Sequence, residues 1–100
     1  MEKKKKIFEA YAQAIAEQFH LSLDEMFENT KQRHIVDSRQ MLYYMAYERP
    51  IRVSQIKRFL EEIGFNVSHS TILYGYKKAK ELIDNDPDYK ELVKKLKDVH

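Results

Sequence analysis

A run of short hydrogen-bonding side chains stands directly before a predicted helix in the second half of the chain. These side chains are Ser68, His69, Ser70 and Thr71. The apolar residues that follow at helical spacing are Ile72, Leu73, Tyr76, Ala79 and Ile83. The start of a helix exposes free backbone N–H groups and a partial positive charge. Short polar side chains at such a helix start can enter a major groove and contact both phosphates and base edges, so the pattern predicts a surface that binds double-stranded DNA.

A second apolar helix pattern lies immediately upstream, over residues 53–65, and is joined to the first by a turn that contains Gly64. The side chains predicted to face inward are Val53, Ile56, Phe59, Leu60 and Ile63. Two helices in this order with a short connection are typical of a helix-turn-helix, in which the second helix reads the DNA. The predicted reader helix covers residues 68–84.

The first half of the chain is also predicted to be helical. Residues 2–19 form an amphipathic helix, and Ser22 with Glu25 fits a capping box that opens a short helix containing Met26 and Phe27. Residues 28–34 are polar without a period and predict an exposed basic loop. Asp37 or Ser38 is the predicted cap of the third helix.

The core stripe predicted for this third helix consists of Met41, Leu42, Met45 and Ala46, with Pro50 at its end. Asp86 and Pro87 open a last helix. Its predicted inward residues are Tyr89, Leu92, Val93, Leu96 and Val99. Residues 1–100 are thus predicted to form one all-α, six-helix domain.

The composition restricts the function classes. There is no cysteine, which excludes disulfides and thiolate metal sites, and no apolar run approaches the length of a membrane span. We therefore expect a cytoplasmic protein that does not contact a membrane. The net charge of +2 neither requires nor excludes a nucleic-acid partner, so the distribution of the cations decides.

Catalysis is not predicted. The histidines are His20, His34, His69 and His100, and no two of them have the spacing of metal ligands on one helix face. Ser68 and His69 are adjacent in sequence, and adjacent side chains rarely face each other as a nucleophile and its base. The chain is therefore predicted not to be an enzyme and to bind neither a metal nor a cofactor.

Three stretches resemble the C-terminal DNA-binding domain of the bacterial chromosomal replication initiator DnaA, a member of the Trp-repressor-like helix-turn-helix group. They are residues 15–26, residues 35–41 (Ile-Val-Asp-Ser-Arg-Gln-Met) and residues 68–73 (Ser-His-Ser-Thr-Ile-Leu). The last stretch is similar to the family signature aspartate-histidine-threonine-threonine-valine-leucine. The resemblance extends from about residue 7 to residue 97.

The resemblance implies roles for individual residues. In the family's major-groove positions stand Ser68, His69, Ser70 and Thr71. Lys31 falls where the family places a minor-groove arginine, and Arg39 falls on an arginine that contacts phosphate and groove. Gln32 and Gln40 match positions of backbone contacts, and Lys77 and Lys78 match two basic residues.

Two further candidates follow from position alone. Arg33 stands beside Lys31 and Gln32, so hydrogen-bond donors are concentrated in the predicted loop, although isolated loop cations are usually only solvated. Tyr74 lies one turn after Ser70 and can lie along a sugar or a thymine methyl group. The other tyrosines at helical spacing are expected at the edge of the core.

Departures from the family pattern change the expected specificity. Ser68 replaces an aspartate, which removes a carboxylate acceptor, and Lys31 replaces an arginine, which removes a planar fork of donors. The chain lacks the Gly-x-x-x-x-Gly-Lys-Ser/Thr loop of an ATPase, so we expect no ATP binding by that route. The simplest interpretation is a free-standing domain encoded by a phage or another mobile element; a fragment of a longer protein is the alternative.

These observations lead to one predicted function and one alternative. The prediction is sequence-specific binding of double-stranded DNA, similar to DnaA-box binding, in replication initiation, its regulation or transcription. Replication or transcription proteins are further candidate partners. The alternative is an interaction module or virion structural protein that keeps the fold and has lost DNA binding.

Overall fold

The computed structural model describes residues 2–97, and within that range the chain forms six α-helices and no β-strand. The helices are α1 (Glu2–Gln18), α2 (Leu23–Met26), α3 (Arg33–Glu48), α4 (Val53–Glu62), α5 (His69–Asn85) and α6 (Pro87–Lys97). The predicted all-α, six-helix fold is confirmed. Val99, predicted as a core residue of the last helix, lies outside the described residues.

Helix α3 lies at the centre of the fold and packs against α1, α2, α4 and α5. Its predicted stripe of Met41, Leu42, Met45 and Ala46 is buried throughout, because these residues recur three and four positions apart on one helix face. Ile15 of α1 and other apolar side chains of α2, α4, α5 and α6 complete the core around this stripe. No helix within residues 2–97 combines the length and apolar character needed to cross a membrane.

The start of α3 differs from the prediction. The helix begins at Arg33, so the predicted loop is shorter and Arg33 and His34 are already helical. The N-cap is Gln32, and neither Asp37 nor Ser38 caps the helix. Ser38 is fully buried and its hydroxyl donates to the Ile35 carbonyl at 2.6 Å. A serine inside a helix can satisfy its hydroxyl in this way. Because serine is also a common N-cap residue, the sequence alone does not distinguish the two positions.

The connections between helices follow their turn residues. The capping box of Ser22 and Glu25 is confirmed by hydrogen bonds in both directions, at 2.9 and 3.1 Å. Gly64 follows α4 with a φ of +84°, in the left-handed region that favours glycine. Ile63, predicted to face inward, is 50% exposed because it is the C-cap residue beyond the last turn of α4.

Helix α5 packs closely against α3 at Gly75. A Cβ atom at this position would lie 2.6 Å from Cδ2 of the Tyr43 ring and 3.2 Å from Cγ of Gln40. Tyr43 is only 3% exposed, so its ring has little room to move away. The missing side chain of Gly75 therefore sets the distance between α5 and α3.

Two of the tyrosines lie at the edge of the core as expected: Tyr44 and Tyr76 are half-buried, with stacked rings whose centroids lie 5.5 Å apart. Tyr43 is instead buried inside the core, and Tyr47 is 39% exposed. The Tyr76 hydroxyl donates to Glu48 at 2.6 Å, and this bond to a carboxylate raises the pKa of Tyr76 to about 12. Tyr74 is different, because its side chain is 59% exposed.

The close approach at Gly75 leads to a stability prediction. Gly75→Ala should destabilise the fold, because overpacking a rigid core typically costs about 1–3 kcal/mol and the helix propensity gained over glycine returns only about 1 kcal/mol. Urea unfolding monitored by circular dichroism measures the difference. Lys77→Ala, at an exposed position of the same helix, is the matched control and should leave stability nearly unchanged. A Gly75→Ala variant as stable as the parent would show that the Tyr43 ring yields easily.

Candidate nucleic-acid interface

The start of α5 is open to solvent and locally ordered by its own side chains. Ser68 is the N-cap: its Oγ accepts a hydrogen bond from the Thr71 amide at 3.1 Å and lies 3.0 Å from Thr71 Oγ1. Ser68, His69, Ser70 and Thr71 are all exposed. The first turn of α5 therefore presents an imidazole and three hydroxyls beside the positive end of the helix dipole.

Further along α5, three exposed residues continue the same side of the helix. Ser70, Tyr74 and Lys77 are spaced four and three residues apart, so they follow one another along one face. Lys78 lies next to this face, with its ammonium 5.7 Å from the centroid of the Tyr74 ring. The aromatic ring thus holds a cation beside the helix face that carries the hydroxyls.

A shallow groove of about 560 Å³ lies between α5, from Tyr74 to Asn85, and the start of α3. Five predicted site residues contribute to its lining: Lys31, Arg33, Gln40, Tyr74 and Lys78. They come from the α2–α3 loop (residues 27–32), from α3 and from α5, which are far apart in the sequence. The fold therefore brings the predicted loop cations and the side of the reader helix to one surface.

Carboxylates also line this groove, and the sequence analysis did not identify them as part of the site. Asp37 lies 4.0 Å from Arg33, and Glu81 lies 3.9 Å from Lys78. Partial burial raises the pKa of the Asp37 carboxyl, while Arg33 and His34 act in the opposite direction. Their spacings of four and three residues could have revealed both pairs, and each reduces the field that its cation presents to a polyanion.

Arg39 occupies a different place from the one expected of a DNA contact. Its side chain is 8% exposed and points to the α2–α3 loop, where Nη1 donates to the carbonyls of Met26 and Glu28 and Nη2 donates to that of Thr30. Burial lowers the pKa of this guanidinium. In this structure, Nη1 and Nη2 of Arg39 are therefore bonded to the protein itself, and the expected contact of Arg39 with a flanking phosphate stays a prediction.

Of the remaining predicted residues, one is exposed at the surface and one is partly buried between helices. Gln32 is exposed in the loop, and its amide donates to Thr30 Oγ1 at 3.3 Å. Gln40 is half-buried against Gly75, so part of its side chain contributes to the α3–α5 contact. Phe65 was not predicted as part of the site, and its ring lies 4.8 Å from the Arg39 guanidinium. Only the tertiary structure brings these two residues together.

No cluster of three or more metal-ligating side chains occurs among the described residues. The arrangement at the surface consists of hydroxyls, one imidazole, amides and cations on a helix start and its neighbouring loop. Side chains of these types can bind a polyanion such as DNA through hydrogen bonds and electrostatic attraction.

An exposed, capped second helix that follows α4 and a six-residue connection defines this chain as a helix-turn-helix domain. The family described as the bacterial DnaA protein helix-turn-helix matches residues 9–79, and the chain belongs to this family of DNA-binding domains. The match covers α2, α3 and α4 completely and ends within α5, where it includes the groove residues Tyr74 and Lys78 but not Glu81.

One curated relative illustrates the relationship. The chain is 29% identical over 99 residues to the chromosomal replication initiator protein DnaA of Nostoc sp. (strain PCC 7120 / SAG 25.82 / UTEX 2576). The alignment covers 98% of this chain and 21% of that relative, so the chain spans about one fifth of the relative's length. The comparison with solved structures gives no match.

The cap at Ser68 leads to a second stability prediction. Ser68→Ala should destabilise the protein by about 1 kcal/mol, because the Thr71 amide loses its acceptor. Ser68→Asp should retain the stability of the parent, since a carboxylate can accept the same bond and favours the positive end of the helix. Thermal unfolding of the three proteins at low salt checks both values. Equal losses in the two variants would contradict the assigned cap.

Proposed function

We propose that this chain binds double-stranded DNA sequence-specifically through the first turn of α5 and serves in the initiation of DNA replication or its regulation. The observation that supports the proposal best is the exposed, capped start of α5, on a helix that farther along lines a groove with Lys31, Arg33 and Lys78. Membership in the DnaA helix-turn-helix family and the similarity to a chromosomal replication initiator protein support a role in replication initiation. Control of transcription by the same binding event is the alternative process.

The proposed mode of binding follows from the geometry of the start of α5. Its free N–H groups and hydroxyls approach phosphates, while His69 and Ser70 reach base edges in the major groove. Lys31 and Arg33 in and beside the α2–α3 loop bind the flanking backbone or the adjacent minor groove. Tyr74 and Lys78 extend the contact along the side of α5.

The residue types at the reader helix set the expected specificity. With Ser68 in place of the family's aspartate, the first turn offers no carboxylate to accept from the amino groups of cytosine or adenine. Lys31 offers a point charge instead of a planar pair of donors, which weakens discrimination in the minor groove. We therefore expect a preferred site that differs from the family's own box, and selection from a random duplex pool would define it.

The proposed role is occupancy of a site and not chemistry. The chain would mark or block a DNA site, or recruit a replication or transcription protein to it. The proposal includes no catalytic residue, cofactor or bound ATP. The predicted cytoplasmic location and the predicted origin in a phage or mobile element stay predictions.

The salt dependence of binding tests the proposal for DNA. The logarithm of the binding constant should fall steeply with the logarithm of salt concentration, because each neutralised phosphate of a duplex releases counterions. Lys31→Ala should weaken binding to all duplexes and reduce that slope by about one. Fluorescence anisotropy with a labelled duplex, repeated at several salt concentrations, measures both quantities.

Lys90→Ala is the matched control, because it removes one exposed cation from α6 and should leave the slope unchanged. If duplex binding is undetectable even at low salt, the alternative of an interaction module that has lost DNA binding is correct. If Lys90→Ala and Lys31→Ala change the slope equally, the charge matters but the proposed face does not.

His69 tests whether the first turn of α5 reads bases. His69→Ala should weaken binding to the selected site by about 1–3 kcal/mol more than binding to random DNA, if the imidazole contacts a base edge. The two duplexes measured side by side separate base reading from backbone contact. Circular dichroism before titration confirms that the variant is folded. Equal losses on both duplexes would limit His69 to a backbone contact.

A further inference from the structure

A single guanidinium connects three carbonyl groups of the segment that leads to Lys31. Arg39 Nη1 donates to Met26 at 3.1 Å and to Glu28 at 2.7 Å, and Nη2 donates to Thr30 at 2.9 Å. The three acceptors belong to alternate residues, so the chain curves around the guanidinium from the end of α2 to the residue before Lys31. Removing this side chain would take one donor from each of the three carbonyl groups, and that of Glu28 would keep the Thr30 amide at 2.8 Å as its donor.

The charge of Arg39 has an unusual environment. Among residues 2–97, no carboxylate lies within ion-pair distance of this buried guanidinium, and the carbonyl oxygens replace the water that it has lost. A planar guanidinium has five donors in a fixed geometry, whereas an ammonium has three donors at one point. Lysine at this position would keep the charge and could not reproduce the bonds on both edges of the fork.

The same side chain also contacts the connection between α4 and α5. The Arg39 guanidinium lies 4.8 Å from the centroid of the Phe65 ring, and the Phe65 ring lies 5.7 Å from that of Phe27. Phe65 stands three residues before the cap Ser68, and Thr30 stands directly before Lys31. Arg39 therefore touches both segments that carry the proposed contact groups.

We propose that Arg39 is a positioning residue: without touching DNA, it fixes the α2–α3 loop relative to the start of α5. This inference rests on the proposed DNA binding. It explains how the contact of Lys31 with DNA is coupled to that of the reader helix. In the folded protein, the spacing between Lys31 and the first turn of α5 depends on the bonds of one α3 side chain. DNA binding through Lys31 then requires the Arg39 guanidinium geometry and not its charge.

The first test needs no DNA. Amide hydrogen exchange followed by NMR reports the loop through the amides of Thr30 and Gln32, which donate to Glu28 and to the Thr30 side chain. Arg39→Lys should increase their exchange rates about tenfold or more while the Leu42 amide in the core keeps its rate. Phe65→Leu removes the ring and keeps the three hydrogen bonds, and it should give a smaller increase. Unchanged loop exchange in Arg39→Lys would overturn the proposal.

The second test is a double-mutant cycle on duplex affinity. Lys31→Ala should cost several-fold in affinity in the parent and less than about twofold in Arg39→Lys, because the displaced loop no longer delivers its lysine to DNA. Arg58→Gln is the matched control, since it removes a guanidinium that lies over the Phe59 ring of α4, and in this background Lys31→Ala should keep its full effect.

Two affinity results would overturn the positioning role. Additive losses of Lys31→Ala and Arg39→Lys would show that the two residues act independently. Parent-like binding by Arg39→Lys would show that charge alone matters. If the parent itself binds no duplex, the proposed function fails, and the exchange measurement still decides whether Arg39 holds the loop.

Discussion

The contact between α3 and α5 at Gly75 is the constraint on which the surface depends. The Tyr43 ring fills the space that a side chain at this position would need, so the two helix backbones lie close together. Helix α3 follows directly from the loop with Lys31, and α5 begins with the hydroxyl-rich turn. The distance between α3 and the reader helix is therefore set in the core, while the Arg39 bonds hold the α2–α3 loop against α3.

Charge alone does not explain how this surface would select a polyanion. The net charge is only +2, and the cations Arg33 and Lys78 have acidic neighbours in the groove. Exposed ion pairs of this kind are weak and exchange easily with other partners. A phosphate placed close to such a cation can displace its carboxylate. At longer range, the carboxylate cancels most of the attraction that the cation exerts on DNA. Affinity would then depend on geometric fit more than on the overall field.

Local patterns in the sequence were sufficient for most of the fold. The apolar spacing of α3 and, apart from Ile63, of α4, the capping box at Ser22 and the glycine turn at Gly64 each follow from interactions within a few residues, so their predictions are confirmed. The start of α3 was predicted wrongly because Ser38 has a cap-forming side chain and lies inside the helix. The role of Gly75 could not be predicted either, since a close approach between two helices leaves no pattern in the sequence around the glycine.

Family resemblance predicts only part of the candidate site. It indicates which residue type stands at a position, but it does not give the direction of a long side chain. Lys31 and Arg39 were both expected to reach DNA; Lys31 is exposed, and Arg39 turns inward to three carbonyl groups. In the proposed positioning role, Arg39 would serve binding through the loop that it holds, and a lysine in its place would fail although it carries the same charge. The shape of the proposed interface would then depend on a buried side chain beneath the residues that contact DNA.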